Sequence, residues 1–108
     1  MIFFKNADLY TVEQMTTKNK LGQIVKSLIK SNECYKVNRQ VIDEKAIKYT
    51  WGSDIKSTIQ IFADIDLDIE DLVVIDYKGK EKVYKIENKK DYDNHYIYAL
   101  FESDEQVI

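Results

Sequence analysis

Two side chains that commonly carry covalent chemistry occur once each in this 108-residue sequence, Cys34 and His95. A cysteine nucleophile is generally activated by a neighbouring base, most often a histidine. These two residues stand far apart in the sequence, and neither lies in a motif typical of a catalytic centre. The simpler interpretation of Cys34 is a small hydrophobic residue that packs near Tyr35 and Val37. A single cysteine also excludes an intrachain disulfide.

Metal and phosphate sites are not supported either. A structural zinc site needs about four cysteine or histidine ligands, and this sequence has two such residues. The acidic run from Asp64 to Asp71 is superficially similar to a calcium-binding loop. Its sixth position is Ile69, where the EF-hand needs glycine, and its twelfth is Ile75, where the EF-hand needs glutamate. The three glycines are scattered, so no phosphate-binding loop is present. We therefore predict that the protein is not an enzyme and has no cofactor or metal.

Charge is distributed unevenly along the chain. Residues 1–57 hold ten basic and six acidic residues, whereas residues 58–108 hold six basic and thirteen acidic residues. Nucleic-acid-binding domains usually have a basic surface and a high pI, but the pI here is about 5.2. Arg39 is the single arginine, and arginine makes the commonest specific contact with bases. Sequence-specific DNA binding is therefore not expected.

Length and composition indicate one folded domain over residues 1–108. The chain is 44% hydrophobic and 12% aromatic, which argues against intrinsic disorder. It has no apolar stretch long enough for a membrane-spanning helix. The first six residues lack the basic and apolar regions of a signal peptide. The expectation is a small soluble protein without a membrane partner.

Short apolar and aromatic runs predict strands in the first half. We expect a strand at Asp8–Val12, a polar connection over 14–22, and a strand or a helical face over 23–30. Ser31 and Asn32 interrupt the pattern before another short strand over 33–38. Residues 40–50 place apolar side chains three to four apart, with acids early and lysines late, and Gly52 follows. This arrangement predicts one short helix.

The second half is more clearly strand-like. In Ser57–Asp68 aliphatic residues alternate with polar ones, which puts the aliphatic set on one face and the acids on the other. Further runs predict strands over 72–77, 83–86 and 95–101, with turns at 78–80 and 91–94. Many short strands joined by short turns indicate a mainly β fold, an antiparallel β-barrel or sandwich with one short helix at about residues 40–50.

This order of elements resembles the head-closure (head–tail joining) proteins of long-tailed bacteriophages, also described as connector or minor capsid proteins. The similarity spans nearly the whole chain. It rests on the opening Asp8-Leu9-Tyr10, the helix-like stretch closing on Tyr49-Thr50-Trp51-Gly52, and the hairpin from Ile69 to Ile86. Lys82-Val83 before Tyr84 departs from the pattern. The predicted hairpin loop is therefore longer or bulged, and the register of Tyr77 against Tyr84 stays open.

The resemblance implies a virion structural protein that forms a ring between the head and the tail. Its partners would be further copies of itself, the portal or adaptor protein, and tail-completion proteins, and DNA would only pass through the channel. Members of the family are often monomers in isolation. The implied location is the virion, with the host or lysogen cytoplasm during assembly. The alternative is another neck or tail-completion protein, or a small soluble protein-binding β module.

Three groups of residues are candidates for the contacts of such an assembly. Tyrosines, which are enriched at interfaces, concentrate in the last third of the chain, and the lysines of the predicted hairpin could meet an acidic partner. These candidates are Tyr77, Lys80, Lys82, Tyr84, Tyr96 and Tyr98. The acids of the alternating strand, Asp64, Asp66 and Asp68, would line the DNA channel and repel phosphate. The alternative for each group is a core or solvated role.

Overall fold

The computed structural model describes residues 4–43, 51–52, 55–105 and 107, and it is mainly β, as predicted. Six strands are formed, β1 (Ala7–Lys18), β2 (Ile24–Val41), β3 (Ile59–Ala63), β4 (Leu72–Tyr77), β5 (Lys80–Tyr92) and β6 (His95–Glu102). They close into an antiparallel barrel in the order β1-β2-β3-β6-β5-β4, with β4 paired back to β1. No helix among the described residues has the length and hydropathy to cross a membrane.

The barrel interior is built by residues that alternate along each strand. On β3 the inward set is Ile59, Ile61 and Ala63, all buried, which confirms the predicted aliphatic face of that strand. Because side chains alternate across a strand, the same period recurs on the other strands. The buried interior set also includes Ala7, Leu9, Val37, Val73, Ile75, Tyr84, Ile86, Tyr98 and Leu100.

A second apolar cluster covers part of the outside. Ile97 and Ala99 point away from the interior of β6 and pack with Ile42 and Trp51, which belong to the connection between β2 and β3. The indole nitrogen of Trp51 donates to Oε1 of buried Gln60 at 2.9 Å. This explains why β6 is apolar on both faces. The helix predicted for about residues 40–50 lies mostly outside the described residues, but Gln40 and Val41 end β2.

Several predicted boundaries were wrong. Residues 14–18 are not a connection but continue β1, since each pairs with a residue of β2. Ser31 and Asn32 do not end a strand: they lie at a register shift, where Thr11 alone faces three residues of β2. β5 runs on to Tyr92 through a polar stretch, because β6 supplies hydrogen-bond partners along it.

The hairpin between β4 and β5 is tighter than expected. Lys78 and Gly79 form a two-residue turn with φ values of 56° and 80°, the positive pair typical of a type I′ turn. Pairing is regular from Tyr77 opposite Lys80 onward, so Tyr84 lies opposite Val73 rather than Tyr77. The predicted longer or bulged loop is therefore absent from this hairpin.

Beyond the barrel, β1 and β2 continue as a two-stranded ribbon. We call residues 12–30 the arm. Its turn is held by Asn19, whose Oδ1 accepts the backbone N–H groups of Leu21 and Gln23, each at 2.9 Å. Past the barrel, residues 13–18 pair with 24–29, whereas β4 contacts β1 only at residues 8–11. The molecule measures 52 × 28 × 27 Å, so it is elongated.

Candidate assembly interface

The two residues considered for covalent chemistry are not brought together. Cys34 pairs with Tyr10 on β1 and is exposed, which corrects the expectation that it packs as a small hydrophobic residue. His95 begins β6, stacks on Tyr92 at 4.9 Å between ring centroids, and contacts Asn94. Strand β3 lies between β2 and β6 in the barrel. Within the described residues, no group of three or more His, Cys, Asp and Glu side chains is placed to hold a metal ion.

The tyrosine candidates divide into core and surface residues. Tyr84 and Tyr98 are 4% and 0% exposed and belong to the barrel interior, so they pack the fold rather than offer contact area. Tyr96 is half-buried and stacks on Tyr98 at 6.1 Å. Tyr77 is half-buried at the other end of the barrel, beneath the guanidinium of Arg39 at 4.3 Å. Of the four, Tyr77 and Tyr96 are the ones left accessible in part.

Four of the candidates line one cavity. This cavity, of about 140 Å³, is bounded by Arg39, Ile75, Tyr77, Lys80, Lys82 and Tyr84; we call it the cationic mouth. It lies at the barrel end that carries the β4–β5 turn. On β5, Lys80, Lys82 and buried Tyr84 stand at every second position, so their side chains project on the same side of the strand. Arg39 was not among the sequence candidates, because β2 brings it to this end only through its pairing with β3.

The three acidic candidates do not lie on a strand. β3 ends at Ala63, so Asp64, Asp66 and Asp68 fall in the connection to β4; we call residues 64–71 the acidic loop. The predicted alternation of inward and outward side chains is still present although these residues form no strand. Leu67 packs into the core, while the three aspartates are exposed. Asp64 pairs with Lys5 at 3.5 Å and Asp66 with Lys89. These ion pairs partly neutralise the negative charge that the sequence pattern predicted for the acidic loop.

The acidic loop is held by the hydroxyl of Tyr98. This group accepts the backbone N–H of Leu67 at 2.8 Å and donates to the carbonyl of Ile65 at 2.6 Å. Burial raises the pKa of Tyr98 to about 12, although the Leu67 N–H and Lys89 act to lower it. The hydroxyl therefore keeps its proton at neutral pH. Asp71 adds a second tie by accepting the backbone N–H of Asp68 at 3.1 Å.

The arm carries apolar side chains in solvent, which sequence reasoning missed. Met15 and Ile24 are 50% and 65% exposed, and Leu21 and Val25 are also exposed. Paired residues of an antiparallel ladder share a face. One face of the outer arm therefore carries Met15, Thr17, Val25 and Ser27, which we call the uncharged face. Lys18 and Lys26 lie on the opposite face. Met15 and Leu21 were assigned to the predicted polar connection over 14–22, whereas Ile24 and Val25 fell in the segment 23–30 predicted as a strand or a helical face.

The candidate surfaces lie at the two ends of the barrel. The connections β1–β2, β3–β4 and β5–β6 leave from one end, and β2–β3 and β4–β5 leave from the other, because the strands alternate in direction. The arm and the acidic loop are thus at one end, and the cationic mouth is at the opposite end.

Comparison with known proteins adds a fold relationship. No protein-family model matches this chain, and no curated protein matches it. The solution structure of protein SF1141 from Shigella flexneri 2a is similar, with a TM-score of 0.65 and 12% sequence identity. The match covers 94% of this chain and 96% of that one. At this identity the similarity concerns the fold alone, and it shows that another chain of nearly the same length adopts this barrel architecture.

Proposed function

We propose that this protein is a structural component of a bacteriophage particle, acting at the junction between head and tail. Copies would assemble as a ring that closes the DNA-filled head and joins it to the tail, with portal or adaptor and tail-completion proteins as partners. The observation that carries the proposal is the arm. The family resemblance of the sequence supplies the biological setting.

An arm of this kind suits assembly for a physical reason. A two-stranded ribbon is marginally stable in water by itself, and β1 and β2 extend it well beyond the barrel. Its uncharged face leaves Met15 and Val25 in solvent. Exposed apolar surface of this sort is typical of a binding surface, and burial against another subunit would remove it from water. The outer edge of β2 already bridges Leu28 to Val107, and strand addition along such a ribbon edge is a known mode of binding.

The test is co-assembly with the portal protein encoded in the same genome. We expect wild-type protein to join portal complexes as a ring that is visible by electron microscopy. The variant Met15→Ser/Val25→Thr should remain monomeric and unbound, because it removes the apolar groups of the uncharged face. Thr16→Ser/Ile24→Thr is the matched control: it removes an exposed aliphatic group from the opposite face and should still assemble.

Two results would count against the proposal. Failure of folded wild-type protein to bind portal or tail components would remove the head–tail assignment. Binding as single copies, without a ring, would favour the alternative of a small protein-binding β module. Circular dichroism of each variant establishes that the barrel is intact before assembly is scored.

A further inference from the structure

We infer that the cationic mouth of one copy binds the acidic loop of the next, so that neighbouring copies join head to tail through lysine, arginine and carboxylate groups. The inference rests on the proposed ring, because it names the surfaces that join adjacent members of it. It also reassigns Asp68 from a channel wall to a subunit contact.

The charge and the size of the cationic mouth suit it to bind a carboxylate. Within residues 4–43, 51–52, 55–105 and 107, no carboxylate lies within 4.0 Å of Arg39 or Lys80. Lys82 reaches Glu102 at 3.6 Å, and both side chains are more than half exposed. The Arg39 guanidinium is held 4.3 Å from the Tyr77 ring centroid, which orients its planar fork of donors for an acidic group. The cavity of about 140 Å³ is small, so one acidic side chain fits it better than an extended ligand.

The acidic loop presents an exposed aspartate on a fixed backbone, which suits it to bind in that cavity. Leu67 is buried, the Tyr98 hydroxyl binds the backbone of Ile65 and of Leu67, and Asp71 binds the backbone of Asp68. The loop therefore has little conformational freedom to lose on binding. Asp68 is exposed, and in the described part of the chain no lysine or arginine nitrogen lies within 4.0 Å of its carboxylate. Its neighbour Glu70 pairs with Lys85 at 3.1 Å. Asp68 is therefore the acid of the loop best placed for a partner.

The positions of the two surfaces decide the kind of assembly. Because the mouth and the loop lie at opposite ends of the barrel, the mouth of one copy can meet the loop of another while its own loop stays available. Such a heterologous contact repeats from copy to copy and closes into a ring when the rotation allows. An interface made by the same patch on both partners would stop at a dimer.

A charge exchange tests the contact without any phage component. Self-association would be followed by sedimentation at protein concentrations up to about 1 mM and about 50 mM salt, where screening is weak. We expect Lys80→Glu alone and Asp68→Lys alone each to lower the association constant about tenfold or more, since each brings like charges together. The two variants mixed, and the double variant Lys80→Glu/Asp68→Lys, should associate again, because both restore opposite charges. Glu105→Lys, a charge reversal of the same size as Asp68→Lys in the exposed C-terminal segment, is the matched control and should behave as wild type.

Three results would overturn the inference. They are wild-type protein that stays monomeric over this range, single variants that associate normally, and variants whose mixture does not recover. Binding of short duplex DNA would be measured as well. If Lys80→Glu loses DNA binding while its self-association is unchanged, the cationic mouth is assigned to nucleic acid instead. None of these results bears on portal-driven assembly, so the proposed function is judged separately.

Discussion

The hydroxyl oxygen of Tyr98 lies 2.8 Å from the backbone nitrogen of Leu67, and this contact joins the barrel interior to the acidic loop. Tyr98 is fully buried on β6 and Leu67 is buried within the loop. The same hydroxyl donates to the carbonyl of Ile65. One phenol group therefore satisfies two backbone groups of a segment that has no strand partner over these residues, and it fixes where the neighbouring aspartates project.

Tyr98→Phe should destabilise the protein without changing its fold. The substitution keeps the ring in the core but leaves the Leu67 N–H and the Ile65 carbonyl without their partner, at a cost of about 1–3 kcal/mol. Urea unfolding monitored by circular dichroism would measure it. Tyr92→Phe is the control, since Tyr92 is exposed and retains its stacking on His95; it should change the free energy of unfolding little. Equal stability of Tyr98→Phe and wild type would show that the hydroxyl is not structurally important.

Alkaline pH should remove the same stabilisation. Burial raises the pKa of Tyr98 to about 12 in the folded protein, whereas an unfolded tyrosine has a pKa of about 10. The folded state holds the proton more tightly, so this contribution is complete below about pH 10 and is lost as the pH rises toward 12. Tyr10 and Tyr35 also have raised pKa values. Both are present in wild type and in Tyr98→Phe, so they do not contribute to the difference in stability between the two. The stability difference between wild type and Tyr98→Phe should therefore shrink over this range; a constant difference would contradict the shift.

The structure could be predicted from the sequence where the local hydrophobic pattern agreed with the strand pairing. The period of two over Ile59–Leu67 identified the inward side chains correctly, and the apolar run with Lys78-Gly79 predicted the β4–β5 hairpin. It failed where partners distant in sequence decide the structure. β5 passes through the polar stretch 87–91 because β6 pairs with it. The acids after Ala63 leave the sheet because Tyr98, 31 positions from Leu67, ties the backbone there.

The cationic mouth shows the same limit in a candidate site. Tyr77, Lys80, Lys82 and Tyr84 are close in sequence, so their grouping on one hairpin could be predicted. Arg39 joins them from β2, and no local signal indicates this, because barrel closure places it there. The core role of Tyr84 was also undetermined, since alternation alone does not say which face of a hairpin is buried.

The hydrogen bonds that Glu87 accepts lead to a separate prediction about the stability of the protein at acidic pH. It interrupts the register between β5 and β6, and its Oε1 accepts from the backbone N–H and the hydroxyl of Ser57 at 2.9 and 2.6 Å. Burial alone would raise the pKa of Glu87, but hydrogen bonds from Ser57 and Lys56 outweigh it and the net pKa is lowered. The stabilisation is therefore present above the unfolded pKa of about 4.3 and is lost as the pH falls through the folded value.

Glu87→Gln should lower the free energy of unfolding at pH 7 by about 1–3 kcal/mol, because an amide replaces a charged acceptor opposite several donors. The difference from wild type should begin to narrow near pH 4, where the unfolded carboxylate becomes protonated, and should be lost as the pH falls through the lower pKa of the folded state. Glu105→Gln, in the exposed C-terminal segment, is the control and should match wild type at each pH. Denaturant midpoints measured from pH 3 to pH 7 would decide; a gap that is independent of pH would exclude the charge as its cause.

The β4–β5 turn predicts two opposite effects at adjacent positions. Lys78 and Gly79 both have positive φ, a conformation that costs an ordinary L-residue roughly 1–2 kcal/mol and is easier for asparagine and glycine. Lys78→Asn should therefore stabilise the protein by a fraction of that amount, and Gly79→Ala should destabilise it by about 1 kcal/mol. A Cβ at Gly79 would meet no atom within 4 Å, so the second effect is one of backbone conformation and not of steric collision. Thermal unfolding of both variants checks the pair: a Gly79→Ala protein as stable as wild type would show that the turn is not held in this geometry, and the position of Lys80 at the cationic mouth would need to be reconsidered.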